Sequence, residues 1–330
     1  MDVVNLNAIE QTPICVDRVV GLGCVELPFE PIDLEVLELF RAYFDGAAKP
    51  ICDYSVGGTF LWIEYSDYQY AIERDTLFIS ELLPDGRRAY WLPVGAMSLE
   101  QSVCRLLEHS SARGETLVLY PVQHSDLERL GRHFVVNGVD NFEGRGDYVH
   151  SAAEFANFVG RRYAKKRNHV RRFQSENPDY LFSELTDDQI GRVMIFHLRR
   201  DSEGMDDNDA VVALREYENG AVAKALGLYS LFRYDGLVLY SRGEVCGFCF
   251  GEVVGDTLFV HAEKCDKSMV GCNQLLASEY VRRMIAKYPN VRWLNREDDM
   301  NVPGIRRAKE SYHPDRIIDK YIVTLSPDLL

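Results

Sequence analysis

Residues 257–284 constrain the fold more than any other stretch. From Thr257 to Lys264 the chain alternates Leu258, Val260 and Ala262 with Phe259, His261 and Glu263, the period of a β-strand with two unlike faces. Asp266 to Gly271 reads as a short polar loop. From Cys272 the spacing becomes helical, with Leu276, Tyr280, Val281 and Met284 on one side. A strand feeding a helix through such a loop can hold an anion. The first N–H groups of a helix have no internal partner, and the dipole adds partial positive charge there. Gly271 would let a phosphate approach the backbone, with Lys264 and Lys267 nearby.

The remaining pattern is α/β. Helices are expected over Leu34–Phe44, Ser98–Ser111, Ser125–Arg132, 151–177, Thr186–Arg200, Ala210–Leu226 and Gly304–Ser311. Ser98 with Gln101, Ser151 with Glu154 and Thr186 with Gln189 have capping-box spacing. Strands are expected over Gln69–Glu73, Leu77–Ser80, Ala89–Val94, Leu117–Pro121, Leu237–Tyr240, Glu244–Val254, Thr257–Lys264, Val291–Asn295 and Asp319–Val323. Phe60–Tyr65 reads as a helix start or a strand, and Asp201–Asp209 as an acidic loop. Two halves of similar pattern point to a duplicated fold: a domain over 1–150, a connecting basic helix over 151–177, and a domain over 178–330 that carries the site.

A net charge of −14 argues against generic adhesion to nucleic acid or membranes. Against that background Arg161, Arg162, Lys165, Lys166, Arg167, Arg171 and Arg172 form a cationic run with no acid inside it. It is either a solvated helix face or a surface for an anionic partner. No apolar run approaches the ~18–20 residues of a membrane helix. Eight scattered cysteines predict reduced thiols and a cytoplasmic protein. Cys246 and Cys249 have CxxC spacing within a strand, where residues three apart face opposite ways. With no second pair to complete a zinc set, they read as structural and no metal site is expected.

The densest chemistry follows the strand at 291–294, where Glu297, Asp298 and Asp299 are consecutive acids. They read either as a general base or amine anchor, or as ion-pair partners of Arg296, Arg306, Arg307 and Lys309. His261 and Glu263, two apart, are expected on one strand face, where His261 could move a proton near neutral pH. Tyr312 is a candidate proton donor. Acyl transfer needs only a positioned acceptor, an oxyanion donor and a proton relay.

The order of two helices, antiparallel meander, loop-fed helix and further strand–helix–strand is similar to the N-acetyltransferase (GNAT) fold. That resemblance implies a pyrophosphate-binding loop at Lys264, Lys267, Ser268, Val270, Gly271, Cys272 and Asn273, with one glycine where that fold's fingerprint has two. Three longer motifs go further: Tyr163–Phe173 (YAKKRNHVRRF), Val260–Cys265 (VHAEKC) and Asn295–Pro314 (NREDDMNVPGIRRAKESYHP). Over roughly residues 50–323 the chain resembles bacterial proteins related to the C-terminal domain of phosphatidylglycerol lysyltransferase. The resemblance implies tandem GNAT-like domains, each a mixed, mostly antiparallel sheet flanked by helices, with the first copy degenerate. It implies transfer of an aminoacyl group from tRNA to a hydroxyl or amine, the acceptor being a small molecule or a lipid headgroup. Acyl-coenzyme A transfer and a non-catalytic binding module are the alternatives. On this reading His261, Glu263, Glu297, Asp298 and Tyr312 are catalytic, and Arg296, Asp299, Arg306 and Lys309 bind substrate. Arg161, Lys165, Lys166, Arg167, Arg171 and Arg172 contact tRNA. The donor is a co-substrate, and no tightly bound cofactor is expected.

Overall fold

The structure is a computed structural model that describes residues 26–201 and 209–326. The expected acidic loop falls at residues 202–208, outside the described residues, as do Cys15 and Cys24. The chain forms two compact units, each with one large sheet. Unit 1 runs to Ala47, resumes over Ile63–Gly146 and takes in the chain from Ile318; unit 2 comprises Ala48–Trp62 and Asp147–Ile317. These limits differ from a division at 150 and 178, and the basic helix belongs to unit 2 rather than connecting two domains.

Unit 1 contains β1 (Glu30–Pro31), α1 (Leu37–Ala47), α3 (Ile63–Ser66), β2 (Gln69–Glu73), β3 (Thr76–Leu82), β4 (Arg88–Tyr90), β5 (Val94–Gly95), α4 (Leu99–Ala112), β6 (Leu117–Val122), α5 (His124–His133), β7 (Val136–Asn141) and, from the far end of the chain, β15 (Tyr321–Leu325). Its strands lie in the order β1-β2-β3-β4-β6-β15-β7, with β5 on β3. The meander β2-β3-β4 is antiparallel, and α4 makes the crossover to parallel β6. Both halves of the Ser98/Gln101 capping box form. Val103, Leu106, Leu127 and Leu130 from the helices pack with Leu117, Leu119, Val323 and Leu325 from the sheet. Cys104 is disulfide-bonded, contrary to the expectation of reduced thiols throughout.

Unit 2 contains α2 (Val56–Phe60), β8 (Asp147–Ser151), α6 (Ala152–Asn157), α7 (Ala164–Glu176), β9 (Leu181–Glu184), α8 (Ile190–Asp201), α9 (Asp209–Gly227), α10 (Tyr229–Phe232), β10 (Asp235–Ser241), β11 (Glu244–Val254), β12 (Thr257–Cys265), α11 (Cys272–Lys287), β13 (Trp293–Asn295), α12 (Pro303–Glu310) and β14 (Arg316–Ile318). The order is β14-β8-β13-β12-β11-β10-β9. Here too an antiparallel meander, β9 to β12, precedes a helical crossover, α11, to a parallel strand, β13. Arg242 and Gly243 both have positive φ, 54° and 78°, as a tight two-residue hairpin turn between right-twisted strands requires.

Read from β9, the second strand order matches the first position for position, so the duplication read from the sequence is present in the topology. One strand in each sheet is exchanged. β8, which follows β7 in sequence, takes the sixth place in the second sheet. β15, which follows β14, takes the sixth place in the first.

Two local expectations are corrected and one open alternative is resolved. The helix expected over 151–177 is broken: Phe158 turns left-handed at φ 46°, Gly160 follows at φ 88°, and a 3₁₀ turn over Arg161–Tyr163 leads into α7. The break buries Phe158 against Phe155 and Tyr163, and Arg167 donates to the freed carbonyls of Phe158 and Gly160. The Thr186/Gln189 box does not form; Thr186 bonds Asp188 and Gln189 reaches Ser183, so a 3₁₀ turn precedes α8. Phe60–Tyr65 is helical, split between α2 and α3.

If β15 completes the first sheet, placing a charge on it must loosen that sheet first. Val323 is fully buried and lies between Leu119 and Val139. Val323→Asp should cost about 3 kcal/mol or more. Hydrogen exchange should rise in β6 and β7 before it rises in β11 and β12; the reverse order would contradict the exchange of strands.

Candidate active site

Two β-bulges decide which way the chemistry of unit 2 points. On β12 the register passes from Phe250↔Ala262 to Gly251↔Val260, leaving His261 as the extra residue. His261 therefore turns to the face of Tyr234, 5.5 Å between rings, whereas Glu263 turns to the face covered by α11. The expectation that the two share a face is overturned by that one residue. On β11 a second bulge at Cys246 brings Cys246 and Cys249 into one core cluster, although unbroken alternation would separate them. Both are free, buried thiols whose pKa values burial helps to raise.

On the first face the fully buried His261 side chain lies between two carboxylates. Nδ1 is 2.7 Å from Glu297 and Nε2 3.0 Å from Glu252. Burial alone lowers the imidazole pKa, but the two hydrogen bonds and charges outweigh it and push it up to about 9. Protonated, His261 donates to both acids and has no ring nitrogen left for another partner. Glu252 also accepts the N–H of Gly57 at 2.5 Å. A Cβ on Gly57 would fall 2.2 Å from His261 Nε2, so only glycine fits beneath the ring. Asn295 is fully buried and donates to Asp147, at 2.7 Å, and to the Pro50 carbonyl. Its own carbonyl accepts the Glu297 N–H, which holds Glu297 at φ 58°. Cys52, Asp53 and Asp147 bring donor atoms within 4.8 Å of one another, a cluster the sequence reading did not find. Asp147, however, already accepts from the Cys52 N–H and thiol and from Asn295.

The acidic loop is held from within. Asp299 takes Tyr148 at 2.6 Å and Arg306 at 3.0 Å; burial alone would raise its pKa, but these bonds hold it below the usual range. Asp298 caps the Met300 N–H. The Lys309 ammonium donates to the carbonyls of Arg296 and Asp298, and burial lowers its pKa.

On the opposite face Glu263 accepts from Asn273 and, at 3.0 Å, from Arg296. Tyr312 donates to Asn273 at 3.0 Å and accepts from Gln274 at 3.1 Å. Its ring carries the Lys166 ammonium at 3.6 Å and the Arg296 guanidinium at 4.4 Å from the centroid. Glu263, Arg296, Asn273 and Tyr312 thus meet, while His261 and Glu297 lie on the other face. Missed in the sequence were Glu252, Gly57 and Asp147 on the first face and Gln274 on the second.

Of the loop residues expected to cradle a donor, Lys264 pairs with Glu218 and Ser268 bonds Asp266. Gly271, φ 91°, packs on α7: a Cβ there would meet the His169 carbonyl oxygen at 2.0 Å. Cys272 is buried, and its N–H is bonded to Met269. Of the basic run, Arg162 pairs with Glu154 and Asp315, and Arg172 with Glu176. Arg167 caps α6 and Lys166 is buried on Tyr312. Arg161, Lys165 and Arg171 are exposed.

The raised His261 pKa has a signed consequence. The stabilisation is fully present below the unfolded value near 6.5 and is lost as pH rises through about 9. Its size at neutral pH is on the order of 3 kcal/mol. Wild-type stability should fall between pH 8 and 10 by an increment that His261→Gln lacks; parallel pH profiles of the two proteins would refute the charged clamp.

The sequence profile of the phosphatidylglycerol lysyltransferase C-terminal family matches residues 46–324. Among solved structures, a conserved protein of unknown function from Bacteroides thetaiotaomicron superposes with a TM-score of 0.81 at 26% identity, covering 91% of this chain and all of that one. The C-terminal domain of a putative lysylphosphatidylglycerol synthetase from Agrobacterium fabrum gives 0.58 at 13% identity over 88% and 91% of the two chains. FemX gives 0.54 at 9% over 91% and 97%. At those identities the last two show the fold alone. An uncharacterized protein of Mycoplasmoides gallisepticum is 32% identical over 85 residues, which is 26% of this chain and only 27% of that protein. No helix among the described residues is long and apolar enough to cross a membrane. With a profile that spans both units, the chain belongs to the family of phosphatidylglycerol lysyltransferase C-terminal domains.

Proposed function

We infer that the protein is an aminoacyltransferase that moves an aminoacyl group from tRNA to a hydroxyl or amine acceptor. The observation that carries this reading is the exposed trio Arg161, Lys165 and Arg171. In a chain of net charge −14 these cations have no ion pair among the described residues; Lys165 and Arg171 lie on α7 and Arg161 on the turn that leads into it, and α7 packs on Gly271 at the start of α11. A polyanionic donor is the partner such a surface suits. The cluster around Tyr312 supplies the chemistry. Burial raises the Tyr312 pKa, so the phenol stays protonated; its one O–H, which Asn273 accepts at rest, would turn to a leaving ribose oxygen. Asn273 and Gln274 fix its orientation. The acceptor's oxygen or nitrogen attacks the ester carbonyl, the bond to the ribose oxygen breaks, and the acceptor's proton replaces the one Tyr312 gives up. His261 and Glu297 act on the opposite face by holding the loop that carries Arg296.

Binding of aminoacyl-tRNA should weaken steeply with salt, and in the triple variant Arg161→Ala, Lys165→Ala, Arg171→Ala the log–log salt slope should drop by about 2–3. Arg172→Ala, which breaks only the pair with Glu176, should change it less. Salt-independent binding, an unchanged slope in the triple variant, or thermal stabilisation by acetyl-coenzyme A without tRNA binding would overturn the reading.

A further inference from the structure

Among the described residues of unit 2, several buried polar side chains lack protein partners for some or all of their hydrogen-bonding atoms, and three of them border the ring of Phe155. His150 is fully buried with neither ring nitrogen bonded, 5.1 Å from Phe155 between centroids. Tyr163 is fully buried with its hydroxyl unbonded, at 6.4 Å. Arg296 bonds Glu263 through Nη2, but its buried Nη1 has no protein partner; the guanidinium is 5.5 Å from the Phe155 centroid. Buried polar groups without partners are rare, because each has given up water for nothing. Three around one ring mark a place where something polar belongs.

The fourth member is Lys166. It is 8% exposed, lies over the ring of Tyr312, and that ring stacks on Phe155 at 5.4 Å. Its ammonium bonds the Ser311 hydroxyl at 2.7 Å and has no carboxylate partner among the described residues. Burial, then the neighbouring charge of Arg296, pulls its pKa down to about 8. The nearby acids are engaged elsewhere: Glu263 by Arg296 and Asn273, Glu154 and Asp315 by Arg162. Burial and the Arg296 charge push His150 down to about 3, so it is neutral and offers one N–H. Every group in the cluster can donate, two carry positive charge, and they repel one another until an anion arrives.

We propose that Lys166, Arg296, Tyr163 and His150 form a subsite for a single oxyanion, the phosphate or carboxylate group of a substrate. An oxyanion accepts from several donors at once and relieves the repulsion between Lys166 and Arg296. A neutral ligand would do only the first. The subsite is independent of the donor, so its failure would leave tRNA-dependent transfer standing.

The test is calorimetric titration of the full chain with inorganic phosphate and, separately, with acetate, at ionic strength fixed by chloride. One of the two should bind saturably and raise Tm; phosphate assigns a phosphate group and acetate a carboxylate. Lys166→Met keeps the buried stem but removes the charge, and should weaken binding about tenfold. Tyr163→Phe removes only an unpartnered hydroxyl. It should leave Tm in chloride no lower than wild type, yet weaken anion binding several-fold. No saturable response to either anion, or wild-type affinity in both variants, would overturn the proposal.

Discussion

The buried pairing of His261 with Glu252 and Glu297 ties together segments far apart in sequence. Glu252 reaches back to Gly57, and Glu297 is held by Asn295, which reaches Pro50 and Asp147. A neutral imidazole could donate to only one of the two acids, and the other would lose its bond to the ring. The charge on the ring is what lets the stretch at 48–62, the strand at 147 and the loop at 295–299 share one interior. The loop then presents Arg296 to the opposite face, where Glu263 receives it.

That division of labour rests on bulges. Without the extra residue at 261, Glu263 would turn away from Asn273 and Arg296 and join His261. A bulge re-aims a side chain at the cost of one unpaired residue, and here it sends two polar positions two residues apart into two separate sites. The break at Phe158 is similar in kind. It ends α6 early, buries an aromatic ring, and lets α7 start where Lys166 reaches Tyr312.

Elements with local causes were legible in the sequence. The strand–loop–helix at 257–284 follows from a change of period, and α4 from the Ser98 cap. The acidic loop was singled out, and Asp299 does pair with Arg306, one of the partners weighed for it. What escaped was non-local or cost a single residue. Neither bulge carries a turn signal. Gly57 is glycine because of a ring more than two hundred positions away. Lys166 reads as one more cation in a solvated run, since nothing nearby shows that its stem lies along a buried tyrosine. The longest motif, Asn295–Pro314, marked the right region through resemblance; the partners that complete it, Glu252, Asp147 and Gln274, had no pattern to reveal them.

The reciprocal exchange of β8 and β15 also bears on how the molecule comes into being. A chain emerging from the ribosome delivers β6 and β7 early, but the strand that lies between them is the last to appear, after the whole of unit 2. Until then the first sheet has a gap with two unsatisfied edges, each an invitation to the wrong strand. The second sheet has no such wait, because β8 precedes every other strand it pairs with. The half of the protein that is made first is therefore the half that is finished last.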